Sequence, residues 1–589
     1  MRYLNFRKIT IVALFLALGI SSCKQKDTNE QSRFDAWTAS FVEDLWKQSP
    51  DMALGAGYHK YDSLLVVPDK AYNESMLKFC SAKLAELTGF DPTHLSTGGR
   101  TDRAILENML KRQEWQISDF RQMEWDPSMY NIGESFSLIL AYNRQSLNLR
   151  LQHIFMRMKQ VPAYYEAAKA NLRKVTVEHM AMGIEQNLGS LEVFDAMIRD
   201  SLKASSLSAA DKKEYTTEID QALAAVNGYV KWLRNKQKPE EKEIFKNFRI
   251  GKEQYDKKFA YYMESAYTAE EMYDKAVKRK TEVQTEMAKL GKQLWPKYFP
   301  GEKMGTNDLE TVRKVIDKIS LHHTTADSFQ TAIEQGLPAL IDFVNSKKLL
   351  YVDPSKPLVV RKEPAYMAGV AGASVDSPGP YDKEGNSYYN VGSLSGWPAD
   401  HKESYLREYN DYILQILNMH EAIPGHYTQL VYSNNSPSIV KRLFGSNSMI
   451  EGWAVYVERM MMEEGYDNNE PEMWLMYYKW HLRSVCNTIL DCSVHVKGMS
   501  KEQAIDLLVN QAFQEKAEAE EKWHRVSVTQ VQLCCYFTGF SEIYDLREAM
   551  KKKQGDKFDL KTFHEKFLSY GSAPVKYIRE LMMEDTPKP

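Results

Sequence analysis

The stretch YLREYNDYILQILNMHEAIPGH, Tyr405 to His426, decides both the fold class and where chemistry is to be sought. Tyr405, Tyr409, Tyr412, Ile413, Ile416 and Leu417 recur at the spacing of an α-helix with one buried face, and they carry His420 on that side. The usual zinc-binding helix sets two histidines at i and i+4, with a glutamate after the first. Here His420 and His426 stand at i and i+6. An unbroken helix turns about 600° over six residues, which leaves the two imidazoles about 120° apart. Pro424 resolves the conflict: it has no amide hydrogen for the carbonyl of His420, its ring clashes there, and Gly425 beside it tolerates unusual dihedrals. The helix is predicted to break or bulge at this point and let His426 swing back towards His420.

Taken alone, a buried His420 reads equally well as a hydrogen-bonded core residue. Glu421 and Glu451 tip the balance, because a carboxylate beside a buried histidine is costly unless it is paired or binds a cation. Glu451 lies in a second amphipathic stretch, Met449 to Met460. Two imidazoles and two carboxylates form the inventory of a catalytic zinc site, with three side-chain ligands and a water whose pKa falls to about 7. We assign His420, His426 and Glu451 as ligands of one Zn2+ and Glu421 as general base. Glu458 shares a helix face with Glu451 and could reach the same point; it reads as a group orienting a ligand, as a salt-bridge partner, or as a surface residue.

These residues carry a resemblance. His420 to His426, Glu451-Gly452-Trp453-Ala454-Val455-Tyr456-Val457-Glu458 and the C-terminal half look like the bacterial family called domain of unknown function 885, whose members resemble helical zinc peptidases. The wider comparison, one of arrangement, is to the thimet oligopeptidase and carboxypeptidase Taq group, in which a histidine pair on one helix and a glutamate on the next bind zinc. The resemblance runs from Ser49-Pro50-Asp51 and Gly57-Tyr58-His59 to Phe563-His564, Tyr570-Gly571 and Pro574. It is specific at the metal motif and looser elsewhere. Where relatives tend to read Trp-Pro-Gly-Gln before a Ser-Tyr pair, this chain has Thr529-Gln530-Val531-Gln532 and then Cys535-Tyr536, keeping Tyr536 and Gly539. Val526 replaces the tyrosine expected after Arg525.

The chemistry implied is attack of zinc-bound water on a peptide carbonyl, with Glu421 taking the proton and later delivering it to the leaving amine. A donor to the developing oxyanion is worth about 2.7 to 4 kcal/mol. Tyr536 and His495 are the candidates, each otherwise an ordinary packed side chain. The predicted helix Met473 to Val496 carries Arg483, Asp491 and His495 among apolar neighbours. Asp491 could orient a ligating histidine and Arg483 could hold a substrate carboxylate; a structural ion pair explains them equally.

Most of the remainder reads as helix, including Asp195 to Leu202, Ala210 to Asn235 and Ala269 to Leu294, so the fold class is mainly α. Lys236 to Glu241 is expected to be a loop. Leu358-Val359-Val360 and Tyr388-Tyr389-Asn390-Val391 flank a stretch rich in Gly, Ala and Pro and read as a small hairpin or sheet, whose open edge could hold an extended peptide. No linker separates units after residue 35, so we expect a continuous two-lobed body with a central cleft: an N-terminal lobe over 36–270 and a catalytic lobe over 271–589.

Residues 1–22 read as a lipoprotein signal peptide: Arg2, Arg7 and Lys8, an apolar run from Ile9 to Ile20, then Ser21-Ser22-Cys23. Cleavage before Cys23 and lipidation there would tether the protein to a bacterial envelope membrane through a polar leash over 23–35. Losing those three cations takes the formal net charge from −3 to −6, which argues against nucleic-acid binding. Cys80, Cys486, Cys492, Cys534 and Cys535 lack metal-type spacing and read as free, buried thiols. The expectation is a lipid-anchored zinc peptidase; an amidohydrolase on a non-peptide amide and a non-catalytic peptide-binding lipoprotein are the alternatives.

Overall fold

Apolar side chains collect in two principal cores. The larger draws on residues from Phe34 to Met582, and the smaller is built almost entirely from the helices between Tyr130 and Leu233. These belong to a computed structural model that describes residues 30–236, 245–363, 372–382 and 384–585. The signal sequence with Cys23, most of the tether, and Gly369 to Ala371 fall outside the described residues. So does all but Lys236 of the Lys236–Glu241 loop. The N-terminal helices over 30–48, Lys70–Thr88 and Thr97–Trp115 bury their apolar faces in the larger core, so the two cores divide the chain differently from a cut at residue 270.

The fold is mainly α, 73% helical. The elements around the site are, in chain order, α1 (Ala269–Tyr298), α2 (Phe329–Ser346), β1 (Leu358–Lys362), β2 (Ala373–Asp376), β3 (Ser387–Val391), α3 (Asp411–Glu421), α4 (His426–Asn434), α5 (Asn447–Glu463), α6 (Pro471–His495), α7 (Lys516–Val528) and α8 (Cys535–Gln554). α1 starts at a capping box in which Thr268 and Glu271 satisfy each other's backbone amides. α6 is buried on nearly every face, which places it at the centre of the larger core, against α1 along one side. None of the described helices is long and apolar enough to cross a membrane.

The sheet corrects one expectation. Leu358–Lys362 and Ser387–Val391 run parallel, so they cannot form a hairpin with each other. The strand order is β1-β3-β2, with β2 antiparallel to β3. The sheet is fixed to α3 through Tyr389, whose hydroxyl donates to Asn418 Oδ1 at 3.1 Å, while Asn418 donates to the Ile333 carbonyl of α2 at 3.0 Å. β2 is an edge strand and packs against α3 and α4.

Candidate metal centre

α3 ends at Glu421, and the amides of Ala422 and Ile423 both return to the carbonyl of Asn418, at 2.9 and 3.1 Å. A cis Ile423–Pro424 bond follows, and His426 opens α4. A Cβ on Gly425 would overlap the carbonyl oxygens of His420 and Met419, so glycine is required for the chain to double back here. The turn sets the two imidazoles with ring centroids 4.8 Å apart and planes at 90°. Trp453 of α5 pins it by donating to the Pro424 carbonyl at 2.9 Å.

Glu451 lies on α5, just ahead of a glycine crossing. Gly452 of α5 and Gly539 of α8 meet back to back; a Cβ on Gly539 would overlap the Ser448 carbonyl, and one on Gly452 the backbone of Gly539. This contact explains why Gly539 is kept, and it seats the first turn of α8, with Tyr536, beside the Glu451 turn of α5.

The ligand atoms of His420, His426 and Glu451 all lie within 4.8 Å of one another. Glu451 Oε2 is 3.6 Å from His420 Nε2 and 3.3 Å from His426 Nε2. Both distances are longer than a strong charged hydrogen bond. They suit two ligands of one ion, since tetrahedral bonds of about 2.0–2.1 Å give an edge of roughly 3.3 Å. His420 Nδ1 is 2.7 Å from Glu458 Oε1, which also accepts from Trp480 Nε1 at 3.0 Å. That contact assigns the Nδ1 proton towards Glu458 and leaves the Nε2 lone pair facing Glu451 and His426. Glu458 is fully buried and its Oε2 has no hydrogen-bond partner among the described residues. Glu451 and His426 keep side-chain exposures of 22% and 12%, so the cluster is open on one side.

The electrostatics favour a cation. Burial by itself would lower the His420 pKa, yet the nearby carboxylates of Glu451 and Glu458 raise it to about 10. Glu421 is raised by burial against the pull of both imidazoles, and its carboxylate makes no hydrogen bond or ion pair with the described residues. The donor set therefore fits a divalent cation with an acid–base group beside it.

Tyr536 lies close enough for Glu451 to act on it; burial, the dominant cause, raises its pKa. Its oxygen accepts from Arg525 Nη2 at 2.9 Å, which leaves the phenolic proton free to donate. The charge of Glu451 also acts on Arg525, a residue the sequence reading gave no role.

Asp491 and His495 sit in a different cluster. Asp491 accepts the amides of Val531 and Leu533 at 2.9 and 3.2 Å, so the carboxylate orienting a ligand histidine is Glu458, not Asp491. His495 Nε2 faces the carbonyls of Val526 and Thr529, each at 2.9 Å, and its ring lies near Phe248 and Tyr255 rather than the triad. Arg483 pairs with Glu518 at 2.7 Å and lies over the Trp480 ring.

Over residues 50–582 the sequence matches the family described as bacterial protein of unknown function, DUF885. The chain belongs to this family. A solved structure from Shewanella oneidensis, described as a candidate lipoprotein of unknown function, is 49% identical; the match covers 93% of this chain and 99% of that one, with a TM-score of 0.84. A second, from Colwellia psychrerythraea and also described as a candidate lipoprotein, shares the fold at 16% identity, a TM-score of 0.75 and coverage of 94% and 99%. Comparison with curated proteins finds no match.

Proposed function

We propose that this DUF885 protein is a zinc-dependent peptidase held at the bacterial cell envelope by lipid on Cys23. One observation carries the reading: Glu421, a buried carboxylate without a hydrogen-bond partner among the described residues, follows directly on His420, whose Nε2 converges with those of His426 and Glu451 Oε2. The anchor is supported by the apolar run ending in Ser21-Ser22-Cys23 and by the descriptions of the two structural relatives.

A zinc ion held by His420, His426 and Glu451 would supply an acidified water and polarise a carbonyl. Glu458 keeps the His420 ring oriented through Nδ1. Glu421 accepts the proton released in the attack and passes it to the leaving nitrogen; its burial-raised pKa makes the protonated form accessible. Tyr536 donates its free proton to the carbonyl oxygen as negative charge builds there, with Arg525 steadying the phenol oxygen. An extended substrate can add to β2: Gly392 donates to Gly372 at 3.0 Å, so by alternation Ala373 and Val375 turn their main-chain groups to the open edge.

The test is to incubate zinc-loaded protein with a mixed peptide library and read products by mass spectrometry, with Glu421→Gln as control. Fragments formed by the native protein and absent from the control are expected. Intact peptides in both, with zinc bound, would overturn the peptidase reading in favour of a non-peptide amide or a binding role.

A further inference from the structure

Three basic side chains lie along α6 and α7, and two of them, Arg483 and Lys522, share the one carboxylate of Glu518. Arg483 gives one terminal nitrogen to Glu518 at 2.7 Å, while its other, Nη1, is buried and has no well-aligned hydrogen bond among the described residues, with the Tyr409 phenol beside the guanidinium. Lys522 is 3% exposed, and Glu518 stands 3.7 Å from its Nζ, beyond hydrogen-bond reach. Arg525 donates only to the neutral oxygens of Gln532 and Tyr536 among the described residues. The neighbouring carboxylate, Glu408, is already taken by Lys479 at 2.7 Å and by the Glu515 amide at 3.0 Å. Buried cations are normally paired, because removing them from water is costly.

The cluster borders both halves of the proposed substrate path. Burial, together with Arg483 and Arg525 and against the pull of Glu518, pushes the Lys522 amine well below the usual range. Arg525 in turn feels Glu451 of the triad. On the other flank, Arg483 and Glu518 act on Tyr405, whose phenol oxygen lies against Gly372 at the entry to β2. Two guanidinium groups, one with an unused nitrogen, and a buried amine thus lie near both the open strand and the proposed metal ligands. A planar carboxylate is the anion that a guanidinium fork fits, and a peptide brings one at its C-terminus.

We propose that Arg483, Lys522 and Arg525 form the subsite for the free α-carboxylate of a peptide, which makes the enzyme a carboxypeptidase. This rests on the peptidase reading above. Hydrolysis would break a C–N bond near the C-terminus, with the water's hydroxyl going to the carbonyl carbon and a proton to the leaving amine, and release a short C-terminal fragment.

The test is retention of random hexapeptides on zinc-loaded Glu421→Gln protein, read by mass spectrometry. The library is supplied with free C-terminal carboxylates, with C-terminal amides, and as amides ending in glutamate. We expect at least tenfold enrichment of the free acids over both amide sets, and loss of that enrichment when Lys522→Met is added. Lys522→Met keeps the volume and replaces a buried amine with an apolar group, so it should fold; Arg483→Lys, which keeps charge but removes the fork, should show a smaller loss. Equal retention of acids and amides, or none of either, overturns the subsite. Enrichment of glutamate-ended amides to the level of the acids shows a side-chain carboxylate site and overturns the α-carboxylate assignment. Enrichment of acids without cleavage by the native protein leaves the subsite standing and removes the peptidase reading.

Discussion

Two histidine–carboxylate groups lie buried in the larger core, and their lone pairs go to different places. At Asp491 and His495 the side chains end on backbone: both carboxylate oxygens accept amides, and Nε2 faces two carbonyls. At His420, His426 and Glu451 the ligand atoms face one another at distances too long for strong hydrogen bonds, and only Nδ1 of His420 is tied, to Glu458. Residue types are alike in the two groups, although His426 and Glu451 keep some exposure while Asp491 and His495 are fully buried. What separates a candidate metal centre from a structural cluster is that its donors converge on one another instead of on the main chain.

The largest way to break this contrast is to remove a converging donor. His426→Ala should lose stoichiometric zinc in elemental analysis of purified protein, while Asp491→Asn should retain it; zinc kept by the first variant would place the metal elsewhere. Next, Glu421→Gln should bind zinc normally but turn over peptide about 10²- to 10⁴-fold more slowly, the usual contribution of a general base. A smaller loss is expected for Glu458→Gln, whose zinc affinity in chelator competition should fall roughly 10- to 100-fold. Unchanged affinity would mean that His420 needs no orienting carboxylate.

On the structural side, Asp491→Asn leaves a backbone amide at Val531 or Leu533 without its acceptor and should cost about 1–3 kcal/mol in denaturant unfolding. The smallest effect is one of pH. Burial, outweighing Asp491, lowers the His495 pKa, so the folded state favours the neutral ring. The unfolded ring takes up its proton near about pH 6.5, so this contribution is fully present above that value and is lost as pH falls towards the folded pKa, at up to about 1.4 kcal/mol per pH unit. His495→Gln should flatten that limb of the stability profile, and identical acid slopes for the two proteins would count against a neutral buried His495.

The parts legible in the sequence were those written locally. Helical spacing gave Ala210 to Asn235 and Ala269 to Leu294, seen as Ala209–Lys236 and Ala269–Tyr298. Pro424 and Gly425 gave the break that returns His426 towards His420, because their backbone chemistry does not depend on the rest of the fold. Contacts between distant segments were not legible. Asp491 and His495 share a helix face, but the amides that Asp491 accepts come from a turn some 40 residues downstream. The parallel pairing of β1 with β3 is likewise set by strand order rather than by residue type. Glu458 could be seen to share a face with Glu451, but not which His420 nitrogen it would meet. Lys522 did carry a local signal: it falls in line with Ala519 and Val526 on the buried side of α7, where a lysine is out of place.

The most direct test is anomalous diffraction at the zinc edge from crystals of the zinc-loaded protein. The account predicts one strong peak within about 2.0–2.2 Å of His420 Nε2, His426 Nε2 and a Glu451 carboxylate oxygen. A zinc-loaded crystal with no peak between these three side chains, or with its peak on other residues, would contradict it.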